Sequence, residues 1–287
     1  MVTFLQTLIM AIISLAAGIL GTVSGGGGGS FVVPAIVSTV NEQPSILVGS
    51  VFLMYLSVSV TGFIVYGRKK LVDYRAGIIL AIPAVPGVII GTLLENTISD
   101  FEFKLGLGLL TACLGGMMLL FRRREPSLTN GTSILVETDP SAGSIPKALN
   151  SSQRTLVDVS GRIFSYNPNF AIGVAINFAA GILSGIFGAG AAVIIVPTTI
   201  LLVRMPSHVA IATTRIILMG LNVSALITHI GIGAINTYYA LILAIPAIIG
   251  AVAGAKIAFK IPPGTLTKLI ATILAILGAY LVVASFV

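Results

Sequence analysis

The chain has 287 residues, 56% of them hydrophobic and 9% charged, with a mean hydropathy of +1.08. That balance excludes a soluble domain and points to an all-α polytopic membrane protein. The net charge of +7 is no nucleic-acid footprint, because the lysines and arginines sit mostly in short loops between apolar runs, where they set topology.

The first run, Met1 to Asn41, is uncharged and 41 residues long. No basic n-region precedes it, so no cleavable signal is expected. A continuous helix of that length would reach about 60 Å, twice the hydrocarbon core. It must therefore break, and Gly18 to Pro34, GILGTVSGGGGGSFVVP, is where it can. The arms on either side, Phe4 to Leu20 and Phe31 to Val40, make about 25 Å and 15 Å of helix. A polar turn at Asn41 to Ser45 leads to a full span, Ile46 to Tyr66, and then to Arg68, Lys69 and Lys70. Ala76 to Leu94 is a second span with Pro83 and Pro86, closed by the acidic residues Glu95, Asp100 and Glu102. Leu105 to Phe121 is a third, ended by Arg122 to Arg124. Its Cys113 is the chain's single cysteine, so no intrachain disulfide or multi-cysteine metal site is expected. Residues 125–162 are rich in Ser, Thr, Asn, Pro and Gly and read as a hydrophilic, mobile tether.

The second half repeats the first. Ile163 to Val203 is again uncharged and 41 residues long, broken at Gly181 to Pro197, GILSGIFGAGAAVIIVP. Spans follow at Ser207 to Gly231, Tyr238 to Ala255 and Leu269 to Val287. At an offset of 163, Ala16 to Leu20, Gly25, Gly27, Val33 and Pro34 match Ala179 to Leu183, Gly188, Gly190, Val196 and Pro197. Ala81 to Ala84, Gly87 and Gly91 match Ala244 to Ala247, Gly250 and Gly254 at the same offset. Two distant blocks at one offset indicate duplication. The expected units are a first repeat 1–124, a linker 125–162 and a second repeat 163–287.

Charge orients the repeats. The basic loop at Arg68 to Lys70 corresponds to an uncharged one at Gly231 to Asn236. The acidic turn at Glu95 to Glu102 corresponds to a segment carrying Lys256, Lys260 and Lys268. Every matched loop swaps its bias, so the repeats are expected to be inverted, with the linker and basic loops cytoplasmic and both termini outside. With three full spans per half, each broken segment is then expected to cross zero or two times, as a re-entrant loop or a hairpin; a single crossing is the alternative, and it would put Lys256 to Lys268 outside.

Paired broken segments at matching places point to a transporter binding site. Gly25, Gly26, Gly27, Gly28, Gly29 and Ser30 are not a P-loop, since no Lys-Ser/Thr follows. At membrane depth such backbone must be buried in protein or line a wet cavity. Helix N-termini exposed there suit an anion, and glycine permits close approach. The second copy offers Gly188, Ala189 and Gly190; Gly18, Pro34, Gly181 and Pro197 frame the two breaks as structural positions. Arg215 is the clearest intramembrane charge, either a counter-ion for an anion or a side chain snorkelling to the interface. Thr213 and Thr214 could donate to the same anion or bond their own helix, and Asn222 could reach substrate or a neighbouring helix. Asp73 reads as a helix cap, and His208 and His229 as interfacial histidines. All nine acids fall in loops, span ends or the linker. Anion export by membrane potential or exchange is therefore expected, without an obligatory carboxylate relay.

These residues resemble the sulfite exporter TauE/SafE family, also called the 4-toluene sulfonate uptake permease family. Its repeated block runs roughly G-x-x-s-G-x-x-G-x-G-G-G-x-x-x-x-P. The first copy departs from it at Thr22, the second at Ala191 and Ala192, and Thr213-Thr214 resembles the family's Thr-Ser pair. The resemblance spans both halves but not the linker. It implies a secondary transporter, with export the expected direction, of sulfur-containing anions such as sulfite, sulfoacetate or organosulfonates, in the plasma membrane. The alternatives are an anion channel or a permease for another small organic anion. No catalytic residue set, cofactor or metal is expected; the expected partners are a small anion and the bilayer, with a homodimer left open.

Overall fold

The computed structural model describes residues 4–24, 32–33, 35–36, 40, 42–95, 97–99, 101–102, 105–106, 108–109, 112–113, 116, 134–135, 154–159, 161, 163–188, 192–258, 272, 275–276, 278–280 and 282–283. Its helices are α1 (Phe4–Ser24), α2 (Pro44–Arg68), α3 (Tyr74–Glu95), α4 (Phe170–Phe187), α5 (Ala192–Leu201), α6 (Ser207–Gly231) and α7 (Thr237–Ala258). Six of them, all but α5, are long and apolar enough to cross a membrane. The expected spans in α2, α3, α6 and α7 are present, extended by a few residues at most ends. Most of the third span of each half lies outside the described residues.

Local chemistry sets the boundaries. Pro44 opens α2, where its missing N–H costs nothing. Asp73 caps α3 by accepting the Ala76 amide, as read from the sequence, and Asn169 and Asn236 do the same for α4 and α7. Outward-facing Ile78, Ile82, Leu93, Ile245 and Ile249 are exposed apolar side chains, as a lipid-facing surface requires.

The offset of 163 governs packing as well as sequence. Helices α2 and α6 match end to end at it, and so do α3 and α7. A Cβ on Gly18 or Gly250 would strike the carbonyls of Ala247 or Leu15. On Gly181 or Gly87 it would strike those of Ala84 or Phe178, the same contacts 163 positions away. So α1 lies backbone-to-backbone on α7 and α4 on α3, the close approach that small residues permit between membrane helices. Between α2 and α6, Gly49, Ser59 and Gly62 face His229, Asn222 and Arg215, an antiparallel pairing. Its centre is the 3.1 Å hydrogen bond from Asn222 to Ser59, two residues that are themselves 163 apart. The extensive contacts of α2 with α7 and of α3 with α6 complete two bundles, α1–α2–α7 and α3–α4–α6. Each bundle mixes elements of both halves.

Each broken segment begins and ends at one side. Thr7 bonds Tyr238, and Tyr239 bonds Glu42, so both ends of the first segment meet the start of α7. In the second, the Asn169 amide donates to Val203 at 3.2 Å, closing α4 and α5 into a hairpin.

The linker departs from a bare tether. Strands β1 (Ile134–Leu135), β2 (Arg154–Val157) and β3 (Ile163–Tyr166) form a sheet in the order β1-β3-β2. Its β2–β3 hairpin, turned through Asp158 to Gly161, straddles the expected boundary at residue 162. The sheet is docked on the helices: Arg154 lies 3.0 Å from Asp73, Tyr166 donates to Asp73 at 2.6 Å, and the Val159 amide donates to Lys69. A buried carboxylate at the start of α3 supplies the anchor that composition alone did not reveal.

Candidate functional site

Arg215 lies eight residues into α6, about 12 Å from its start. It is fully buried, and Gly62 leaves the space for its stem. Its side chain is thus enclosed by protein. One terminal nitrogen, Nη2, donates to the carbonyls of Gly21 and Thr22 at 2.9 and 3.0 Å. These belong to the last turn of α1, whose carbonyls lack helical partners and carry the negative end of the dipole. The guanidinium sits 5.7 Å over the Tyr66 ring, and the Tyr66 hydroxyl donates to Thr22 as well. The remaining nitrogens, Nε and Nη1, have no hydrogen-bond partner among the described residues. A buried arginine with Nε and Nη1 unpartnered keeps planar donors and a positive charge of the kind that oxyanions bind.

The sulfite exporter TauE/SafE family matches residues 10–281. The chain belongs to that family. Among curated proteins this TauE/SafE chain is similar to the probable membrane transporter protein YunE of Bacillus subtilis (strain 168), 28% identical over 281 residues and 96% of each chain. No solved structure matches it. The TauE/SafE protein is thus a multi-pass membrane transporter.

Of the residues singled out in this TauE/SafE sequence, Gly25 to Ser30, Pro34, Ala189 and Gly190 lie outside the described residues. Gly188 ends α4 in the left-handed region at φ 55° and rests on Val48 of α2. Gly18 and Gly181 make the helix-on-helix contacts above, and Pro197 lies within α5. Thr214 bonds its own helix at Ile211, and Thr213 accepts the Asp73 amide, so both flank Arg215 with their hydroxyls already engaged by protein. Asn222 is spent on Ser59, 7 residues from Arg215 along α6.

His229 stands near the end of α6, as read from the sequence, but is enclosed by protein. It is fully buried near the end of α6, with Nδ1 2.8 Å from the Ala225 carbonyl and Nε2 3.1 Å from Glu95 Oε2. Its ring packs on Phe52 at 5.1 Å. Glu95 is a span end, as expected, yet only 6% exposed. The α2–α6 symmetry shows why: Phe52 and Tyr66 lie 163 positions before Arg215 and His229. Each end of the helix pair therefore stacks one nitrogenous side chain on one ring.

Proposed function

We propose that this transporter exports small sulfur-containing anions, of the sulfite, sulfoacetate and organosulfonate class, across the plasma membrane by alternating access. The observation that carries this reading is the unspent half of the Arg215 guanidinium, buried beside the glycine break of α1. An oxyanion engaging Nε and Nη1 receives two parallel charge-assisted bonds. It competes with the Gly21 and Thr22 carbonyls for the same cation, so binding loosens α1 from α6. The amides of Gly25 to Ser30 would join Arg215 in holding the anion.

The moving bodies are the bundles α1–α2–α7 and α3–α4–α6, hinged where Asn222 meets Ser59. The antiparallel α2–α6 pairing supports inverted repeats. Arg68, Lys69, Arg154 and Lys256 carry the basic end, which supports a cytoplasmic linker and outside termini. Proteoliposomes test the function: labelled sulfite should show saturable flux and counterflow, both lost when Arg215 is replaced by alanine. Non-saturating flux without counterflow would identify a channel instead.

A further inference from the structure

We infer that Glu95 and His229 form a proton-binding site, loaded from the face opposite the linker sheet, that couples anion movement to proton entry. The inference rests on the transporter reading and departs from the expectation that no carboxylate relay is obligatory. Four observations carry it. Glu95 and His229 are both more than nine-tenths buried and 3.1 Å apart, where the ends of α3 and α6 meet. The second carboxylate oxygen, Oε1, has no partner among the described residues, and neither has the hydroxyl of Thr92 one turn earlier on the same face. Ionisable groups buried inside a membrane protein are costly and mark ion pathways. The pair also sits at the second glycine break: His229 touches Gly49, Val48 beside it carries Gly188, and Gly185 of α4 abuts the Thr92 amide.

The surroundings favour a proton. From α2, Tyr55 reaches the pair through Phe52, and Glu42 with Tyr239 of α7 lies towards the same end. No other charged side chain bonds to the pair among the described residues. A carboxylate and an imidazole share a hydrogen bond, so one added proton takes the pair from a net charge of −1 to neutral and its release restores the −1. Arg215 lies fourteen residues away on the same helix, about 21 Å. The anion and proton sites thus occupy opposite halves of the α2–α6 seam, where the two bundles meet. A proton entering at Glu95–His229 as an anion leaves Arg215 makes the exchange respond to both pH gradient and potential.

Two readouts separate this proposal from the transporter reading. The first is pH-difference infrared spectroscopy of the purified protein in lipid. A titrating buried carboxylic-acid band should be absent in Glu95→Gln, and its midpoint should move by about one pH unit or more in His229→Gln. A band unchanged in Glu95→Gln overturns the proton site, whatever transport shows. The second is labelled-sulfite flux. Wild-type sulfite movement should accelerate when the outside is made acid, and Glu95→Gln should lose that acceleration relative to its own counterflow. Counterflow in wild type with no response to the gradient, or with a sodium requirement in its place, overturns the coupling while leaving the transporter standing. Absent counterflow in wild type removes sulfite as substrate and leaves the infrared result to decide the proton site.

Discussion

Replacing Gly185 by alanine should damage the protein far more than replacing Gly220, although both glycines lie inside spans. A Cβ at Gly185 would meet the Thr92 amide nitrogen at 2.6 Å and the Gly91 carbonyl carbon at 2.8 Å, and would also strike the Val88 carbonyl. Ordinary contact begins at 3.4 Å, so α3 and α4 must open by at least about 0.8 Å. All three obstacles are backbone, so no rotamer change relieves them. The cost then falls at the upper end of the overpacking range, about 3 kcal/mol. Alanine recovers up to about 1 kcal/mol through helix propensity. At Gly220 the nearest atoms are methyls of Val85 and Ala81 at 3.7 and 3.8 Å, so only that propensity gain is felt. The two variants should differ by about 3 kcal/mol, which in a chain of this size is a gap of about 6–12 °C in Tm. Thermal melts of the helical circular dichroism in detergent measure it. Equal melting temperatures would refute the backbone contact that holds α4 on α3.

Three further outcomes follow from the same geometry. With Cys113 replaced by serine, single cysteines at Lys69 and Lys256 should both resist a membrane-impermeant reagent added outside; labelling of one alone would remove the inverted arrangement. A double-mutant cycle of Ser59→Ala and Asn222→Leu should return a coupling of about 0.6 kcal/mol, ordinary for a hydrogen bond between membrane helices, and zero coupling would deny the central bond. Burial and the Asp73 carboxylate push the Tyr166 hydroxyl well up from its usual range, so its bond holds below the free-phenol value near pH 10 and weakens only above it. Tyr166→Phe should therefore speed proteolytic cutting in residues 134–166 at neutral pH, and unchanged cutting would show that the sheet docks without Asp73.

What could be read from the sequence was what periodicity and charge encode. Ser207 to Gly231 was bounded correctly because Pro206 stands before it and glycine closes it. The duplication was legible because glycines that touch a carbonyl tolerate no replacement. The sheet escaped because its strands are short, although RTLV and IFSY around a DVSG turn carry the β-branched and aromatic residues of a hairpin. Glu95 escaped because in sequence it opens an acidic turn, and only the packing of α3 on α6 turns it inward. The offset held a clue: with α2 and α6 antiparallel, position 229 must face position 52, well inside the bundle.

Arg215 carries the central claim, and the most direct measurement is the sulfite affinity of Arg215→Lys. Lysine keeps the positive charge and can still reach the α1 carbonyls, so the fold should survive with Tm close to wild type. It lacks the planar fork, so losing one charge-assisted bond of about 1.5–3 kcal/mol should weaken sulfite binding by about 10-fold to 150-fold. Isothermal titration of the purified proteins at fixed ionic strength reads both the Kd and its change. A Kd unchanged in Arg215→Lys would show that the free donors of Arg215 do not hold the anion.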